Sequence, residues 1–405
     1  METPPIGFAT HLANATLAIT NASLRLATRI AWHKRLPSSP RRICIWRTGN
    51  IGDIVCALPA MASIRRTWPS AELTLLTSPG KRGAPGAREL LETAEWLSEL
   101  VVYHPSETSA RSFAAEIRKR DFDLVIRLPQ NMSTPRRELR DIAFLRLFAG
   151  VSHARGFAVG SLRWLGKSAA RALSKAPDIA HESDRQLQLL PSVCVQPRGA
   201  EFPLPIHAAV RSEADQLFTR YSLTGASILC ISPGAKRITN RWPVERFGQI
   251  ARRWLDEGGR VLVIGAQTDH DLGEQIRELG GTGVTNLCGQ SPLLLSTAIL
   301  KRAEVLVSGD TGAIHLAAAV GTPVVVPFSA RDVPKRWFPY QSELTPKASR
   351  SVVHRRTPSC SPCWLESCPN QNLCLTEISV DHIWESTIAL RGHRKGYSTP
   401  AAIAV

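Results

Sequence analysis

Strand-like apolar segments alternate with helical ones in two separate runs, and this pattern constrains the fold more than any other feature. The first run begins near residue 42. "RICIW", "ELTLLT", "LVVYH" and "FDLVIRL" read as short strands with helical stretches between them, the first helix over 53–66. Strands alternating with helices predict a parallel sheet covered on both faces. The rhythm weakens after about residue 165, and the proline-rich "VQPRGAEFPLPIH" reads as part of an interdomain connection. It restarts with "ASILCISPG", "RVLVIGA", "AEVLVSGDTG" and "TPVVVPF". Between these lie a helix in "PVERFGQIARRWLDEGG", with Pro243 in its first turn and Gly258 or Gly259 at its end, and a shorter one closed by Gly321. The expected class is α/β, with two domains of one type. A chain of 405 residues that is 43% hydrophobic is long and apolar enough to bury two such cores. The expected division is 1–40 as an N-terminal extension, 41–210 and 211–345 as the two domains, and 346–405 as a cysteine-rich segment with a C-terminal helix or tail.

The extension has its own character. "GFATHLANATLAITNASLRLATRIAWHKR" contains no acid. At helical spacing Phe8, Leu12, Ile19, Leu26 and Ile30 fall on one side, with Arg25 and Arg29 away from it. Such a basic amphipathic helix suits an anionic membrane surface, and equally a helix packed on the protein or a free extension. No apolar run reaches the roughly 20 residues needed to span a bilayer. No secretory signal pattern is evident, so a cytoplasmic protein is expected, with peripheral contact at a membrane face as one reading.

The formal net charge is +16. Such an excess attracts anions: nucleic acid, anionic lipid or phosphorylated substrates. The bases are dispersed and no nucleic-acid motif is present, so nucleic acid is not expected as a partner.

Three strand-turn-helix junctions carry the candidate chemistry. In "RTGNIGDIV", Gly49 and Gly52 permit tight turns and close approach of a ligand. Asp53 follows at the start of a helix, where the partial positive charge favours its ionised form. Local pattern supports both a helix cap and a functional carboxylate there. In "ISPGAKRITNRWPVERF", Ser232, Gly234, Lys236, Arg237 and Arg241 precede a helix, a setting that can hold a phosphate. In "VSGDTGAIHLAAAVGTP", Asp310, Thr311 and Gly312 open a short helix with His315 in its first turns, a setting suited to a diphosphate. The loop "RLPQNMSTPRREL" offers Arg127, Gln130, Asn131 and Arg136 toward a sugar acid or phosphate, or simply toward solvent. "DFD" (Asp121, Asp123) reads as a turn rather than a metal-binding pair.

Cysteine is concentrated late in the chain. Cys360, Cys363, Cys368 and Cys374 form C-x2-C-x4-C-x5-C. The readings are a structural metal site, with zinc first and an iron–sulfur cluster second, reduced free thiols, or disulfides. The other five cysteines lie in apolar contexts, as core thiols do.

The three junctions, in this order, resemble glycosyltransferase family 9, the heptosyltransferases of lipopolysaccharide core assembly. The segments that carry the resemblance are "RTGNIGDIVCALPAMASIRRTWP", "SPGAKRITNRWPVERF" and "SGDTGAIHLAAAVGTPVVVPF", followed by "PKRWFPY". The resemblance implies a GT-B fold, two facing Rossmann-like domains with a cleft between them. It implies inverting transfer of a sugar, typically from ADP-heptose, to a lipid-linked saccharide. Asp53 then matches the family's base, acting without a catalytic cofactor. Ser232, Gly234, Lys236, Arg241, Asp310, Thr311, Gly312 and His315 become donor-binding candidates in the second domain. Gly49, Asn50, Gly52, Arg127, Gln130 and Asn131 become acceptor-binding candidates in the first. The sequence departs from the family at Asn240, where a lysine is common two residues before the tryptophan of the second motif.

Overall fold

The structure, a computed structural model, describes residues 7–33, 35–79, 83, 85–176, 178–197, 199–341 and 350–391. Parts of the expected terminal segments, residues 1–6, 34, 346–349 and 392–405, lie outside these. The chain divides into two compact units, residues 1–205 and 206–405.

The first unit contains α1 (Phe8–Ala31), β1 (Arg42–Trp46), α2 (Ile51–Thr67), β2 (Glu72–Thr77), α3 (Ala87–Leu91) and β3 (Glu99–Val102). It continues with α4 (Ala110–Arg120), β4 (Leu124–Arg127), α5 (Pro135–Ala143), β5 (Ala154–Arg155), α6 (Lys167–Leu173) and α7 (Glu182–Leu189). Its strands form one sheet in the order β3-β2-β1-β4-β5, every pair parallel. β1 is buried almost throughout, as a central strand with helices on both faces must be. Neighbouring residues of β1 point to opposite faces. Cys44 and Trp46 enter a core with Phe113, Ile117, Leu145 and Phe157.

The "DFD" segment is a structural tie. Asp123 accepts hydrogen bonds from the amides of Arg41 (2.7 Å) and Arg42 (2.9 Å), fixing the start of β1, while Asp121 ends α4 with positive φ.

The N-terminal segment forms a 24-residue helix packed on α5 and α6. Thr10, Ala13, Leu24 and Thr28 face the domain, and Trp32 beyond the helix stacks on Phe157. The Trp32 indole N–H donates to the Val151 carbonyl (2.8 Å). Burying a side chain such as Leu24 contributes about 2 kcal/mol. The segment is thus a helix packed on the domain and not a free extension, with the Phe8, Leu12, Ile19, Leu26 and Ile30 side left exposed.

The second unit contains α8 (Ala208–Arg220), β6 (Ile228–Ser232), α9 (Val244–Asp256), β7 (Arg260–Val263), α10 (His270–Gly280), β8 (Val284–Asn286) and α11 (Leu293–Leu300). β9 (Val305–Ser308), α12 (Gly312–Ala319), β10 (Val324–Pro327), β11 (Ser351–His354), α13 (Leu373–Thr376) and α14 (Val380–Leu390) complete it. Its parallel sheet has the order β11-β10-β9-β6-β7-β8. Pro243 proves to be the residue that caps α9 rather than one inside its first turn.

In each sheet the strand order reverses beside the unit's first strand. β1 lies between β2 and β4, and β6 between β9 and β7. Ligands of open α/β sheets bind outside the carboxyl ends of strands at such switch points. Each unit is thus a Rossmann-like parallel-sheet domain, and two such domains make up the GT-B fold.

Candidate active site

The segment after β1 reaches its switch point in the first unit. Asp53 lies in the first turn of α2, at the third position of a capping box whose N-cap is Asn50. Its Oδ2 accepts from the Asn50 amide (3.1 Å), so the cap reading holds locally. Its Oδ1 faces Nη2 of Arg47 at 3.3 Å. A carboxylate has about four lone-pair sites. The Asp53 side chain is 18% exposed, whereas that of Arg47 is fully buried.

Arg47 organises this corner. Its Nε donates to the Asp53 carbonyl (3.1 Å), its Nη1 to the carbonyls of Leu128 (3.3 Å) and Pro129 (2.9 Å), and its Nη2 also reaches Glu182 Oε1 (3.3 Å). Glu182, fully buried at the start of α7, accepts from Arg185 (2.7 and 2.9 Å) and Gln186 (2.8 Å). Two arginines thus balance two carboxylates, Glu182 fully buried and Asp53 mostly so, as buried charges require. The Pro129 carbonyl also accepts from Arg185 (2.5 Å) and Gln186 (3.0 Å). The loop carrying Gln130 and Asn131 is therefore tied to the same group that holds Asp53.

Sequence reasoning missed Arg47, Glu182, Arg185 and Gln186. Only Arg47 left a local signal, a charge directly after a buried apolar strand. Glu182 stands where the strand-helix rhythm of the sequence weakens, after about residue 165.

Two sequence assignments change. Gly49 has φ +136°, and a Cβ there would fall 2.4 Å from Asp53 Cβ and Cγ. Its clearance serves the Asp53 side chain, not an approaching sugar. Arg127 is buried on the other face of the sheet. It stacks over Trp46 at 4.5 Å and pairs with Glu138 (3.5 Å) and Asp141 (3.4 Å) of α5. Its register neighbour Trp46 and the next residue, Arg47, point to opposite faces, so Arg127 is not brought together with Asp53.

The second unit gathers the donor candidates at the other switch point. β6 and β9 pair side by side, with Ser232 in register with Ser308. The loops that follow them touch: a Cβ on Gly309 would meet the Asn240 carbonyl at 2.8 Å. The Asn240 amide donates to Asp310 Oδ2 (2.9 Å) and its Oδ1 accepts from Ser329 (2.9 Å). At the position where the resemblance leads one to expect a lysine, Asp310 thus has a neutral partner. Burial, with Asp332 nearby, pushes its carboxyl up to about 7 against the pull of Arg237 and Arg331. A carboxyl that readily becomes neutral repels a diphosphate less than a permanent anion would.

Thr311 and Gly312 begin α12, whose amides face the space before it. His315 is buried in α12 with its ring edge-on to Trp337 at 6.2 Å. Lys236 is exposed, and Arg241 donates to the Ala235 carbonyl (3.0 Å), bracing its own loop. Gly234 resembles Gly49, because a Cβ there would lie 2.2 Å from the Asp269 carboxylate.

The cysteine-rich segment belongs to this unit and clasps the same loops. Glu366 pairs with Arg237 (3.0 Å) and Arg331 (2.7 Å), and the Leu365 carbonyl accepts from Thr239 (3.3 Å) and Arg331 (2.7 Å). None of the four cysteines is in a disulfide, and each is partly buried. Burial raises the Cys374 thiol, and the other three lie near enough to raise it further. Four clustered cysteines are a donor set that can ligate a soft cation, giving up their protons as it binds.

The family model described as glycosyltransferase family 9 (heptosyltransferase) matches residues 110–373. Lipopolysaccharide heptosyltransferase 2 of Escherichia coli K12 is 25% identical over 288 residues, 68% of this chain and 79% of that protein. A family 9 glycosyl transferase from Veillonella parvula superposes with TM-score 0.69 at 18% identity, covering 88% of this chain and 99% of that one. The E. coli ADP-heptose lipopolysaccharide heptosyltransferase II superposes with TM-score 0.59 at 20% identity, covering 86% and 98%. The fold, the ordered junctions and the match over most of the chain agree: this chain belongs to glycosyltransferase family 9, the heptosyltransferases, and is a glycosyltransferase.

Proposed function

We propose that this enzyme moves a heptosyl group from ADP-heptose to a lipopolysaccharide core or related anionic, lipid-linked saccharide, with inversion. The observation that carries this reading is the Asp53 carboxylate, paired with Arg47, anchored by the Asn50 backbone amide and still partly exposed. Asp53 takes the acceptor hydroxyl proton as that oxygen attacks the anomeric carbon. The bond from the anomeric carbon to the diphosphate oxygen breaks, and its electron pair leaves with ADP. Asp310, Thr311, Gly312 and His315, with Ser232, Gly234, Lys236 and Arg241, form the donor-binding set, the α12 amides stabilising the leaving diphosphate. Asn50, Gly52, Gln130 and Asn131 remain the acceptor candidates, at the cytoplasmic face where the lipid-linked saccharide is extended. On this reading the first unit takes the acceptor and the second unit the donor.

Asn240 favours a second reading, the same chemistry with another nucleotide sugar for O-antigen or capsule, because it removes a cation beside the donor motif. Thermal shift with ADP-, UDP- and GDP-sugars separates the two, since a ligand stabilises by mass action. Stabilisation by ADP-heptose at concentrations where UDP- and GDP-sugars do nothing is the expected result. A response to UDP- or GDP-sugars alone would replace the donor assignment.

The displacement calls for no catalytic cofactor. We further propose that Cys360, Cys363, Cys368 and Cys374 hold one structural metal ion, zinc being the expectation, that stiffens the clasp on the donor loops. Elemental analysis of purified protein should find one tightly bound equivalent, and removal by chelator should lower the thermal midpoint. A metal-free protein of unchanged stability would leave the quartet as reduced thiols.

A further inference from the structure

Helix α1 buries one face against the domain and leaves an apolar one outward. Thr10, Ala13, Leu24 and Thr28 pack inward. The opposite stripe, Phe8, Leu12, Ile19, Leu26 and Ile30, is between 57% and 84% exposed. These five positions project within about 40° of one another at 100° per residue. The stripe runs most of a helix about 36 Å long. An unbroken apolar surface of this kind is uncommon on soluble proteins and marks a contact.

The elements around it continue the pattern. α1 packs on α5 and α6. Leu147 and Phe148 are exposed in the π-helical turn that follows α5, and Trp164 and Leu165 in the turn leading to α6. A pocket of about 910 Å³ carries the apolar surface inward between α4 and α5, lined by Trp46, Phe113, Phe144 and Phe148 beside Arg136 and Arg140.

Charge selects the occupant. The exposed bases Arg25, Arg29, Arg136, Arg146, Lys167 and Lys175 lie on these same elements or at their ends. α1 and the stretch 160–176 contain no acid, and α5 has only Glu138 and Asp141, both buried and paired with Arg127. A second copy of the chain would bring this positive charge against itself. An anionic bilayer satisfies both the stripe and the bases.

We propose that α1 is an in-plane anchor that docks the first unit on an anionic lipid surface, its apolar stripe sunk into the headgroup boundary. No helix among the described residues is long and apolar enough to cross a membrane, so the contact is lateral. The proposal is independent of which sugar is transferred.

The test is co-sedimentation of the full chain with vesicles of phosphatidylcholine, with and without phosphatidylglycerol. The expected result is binding to the mixed vesicles, weakened by salt and at least tenfold poorer on phosphatidylcholine alone. The triple variant Leu12→Gln/Ile19→Gln/Leu26→Gln should lose at least tenfold in partitioning. Arg25→Gln/Arg29→Gln should lose severalfold. All five side chains are exposed, so the thermal midpoint should not move, and turnover of soluble acceptor should persist. Equal partitioning of the triple variant and the parent would overturn the proposal. So would an absence of vesicle binding, or a dimer in sedimentation velocity that the triple variant abolishes without any lipid binding by the parent.

Discussion

Asp53→Asn is expected to lower kcat by about 10³-fold, within the range by which a positioned general base accelerates proton transfer. Donor affinity should be nearly unchanged, because the donor candidates stand on the other unit's loops. The substitution is conservative for the fold: the Asn side-chain oxygen can still accept from the Asn50 amide, so α2 keeps its cap. Its carboxamide cannot accept the acceptor's proton near neutral pH. The check is ADP release under saturating donor and acceptor, with donor binding measured in parallel. A rate within a few-fold of the parent would remove Asp53 from the chemistry and leave it a cap.

Arg47→Met is expected to be the most destabilising substitution among the residues that support the site, by about 3 kcal/mol, because breaking a buried ion pair strands the remaining charge. Met approximates the length of the arginine stem but leaves Glu182 with Arg185 as its one cation, strands Asp53, and removes donors from the Leu128 and Pro129 carbonyls. Arg47→Lys should fall between, since one ammonium cannot reproduce a fork spanning Asp53, Glu182 and the 128–129 carbonyls. Chemical denaturation followed by tryptophan fluorescence measures both. The Lys variant should also lose activity beyond its loss of stability, because Asp53 would be held less firmly. Parent-like stability of Arg47→Met would show that the network is not a stabilising unit.

The α/β class was legible because both runs obey local rules: buried parallel strands are continuous apolar segments, and their helices carry apolar faces with glycine or proline at the ends. The three junctions were legible for the same reason, since glycines, a carboxylate and helix starts occur together in short windows. Local pattern also placed Asp53 at a helix N-terminus and left its role divided between cap and carboxylate. What surrounds it was not legible. Arg47 and Glu182 are 135 residues apart, and only the folding of α7 against α2 brings them within 3.3 Å. The burial of Arg127 behind Trp46 was hidden likewise, because a strand's period places a residue on a face without saying what covers that face. The glycines show the same limit: sequence marked Gly49 and Gly234 as permissive, and packing decided that Asp53 and Asp269 fill the space.

Helix α1 draws the line most clearly. Its periodicity alone determined an acid-free helix with Phe8, Leu12, Ile19, Leu26 and Ile30 along one side. The tertiary structure decided that this side faces outward. Small and apolar residues on the opposite face, Thr10, Ala13, Leu24 and Thr28, fit against the domain, and the surface a helix buries is set by the shape of its neighbours rather than by hydrophobicity alone.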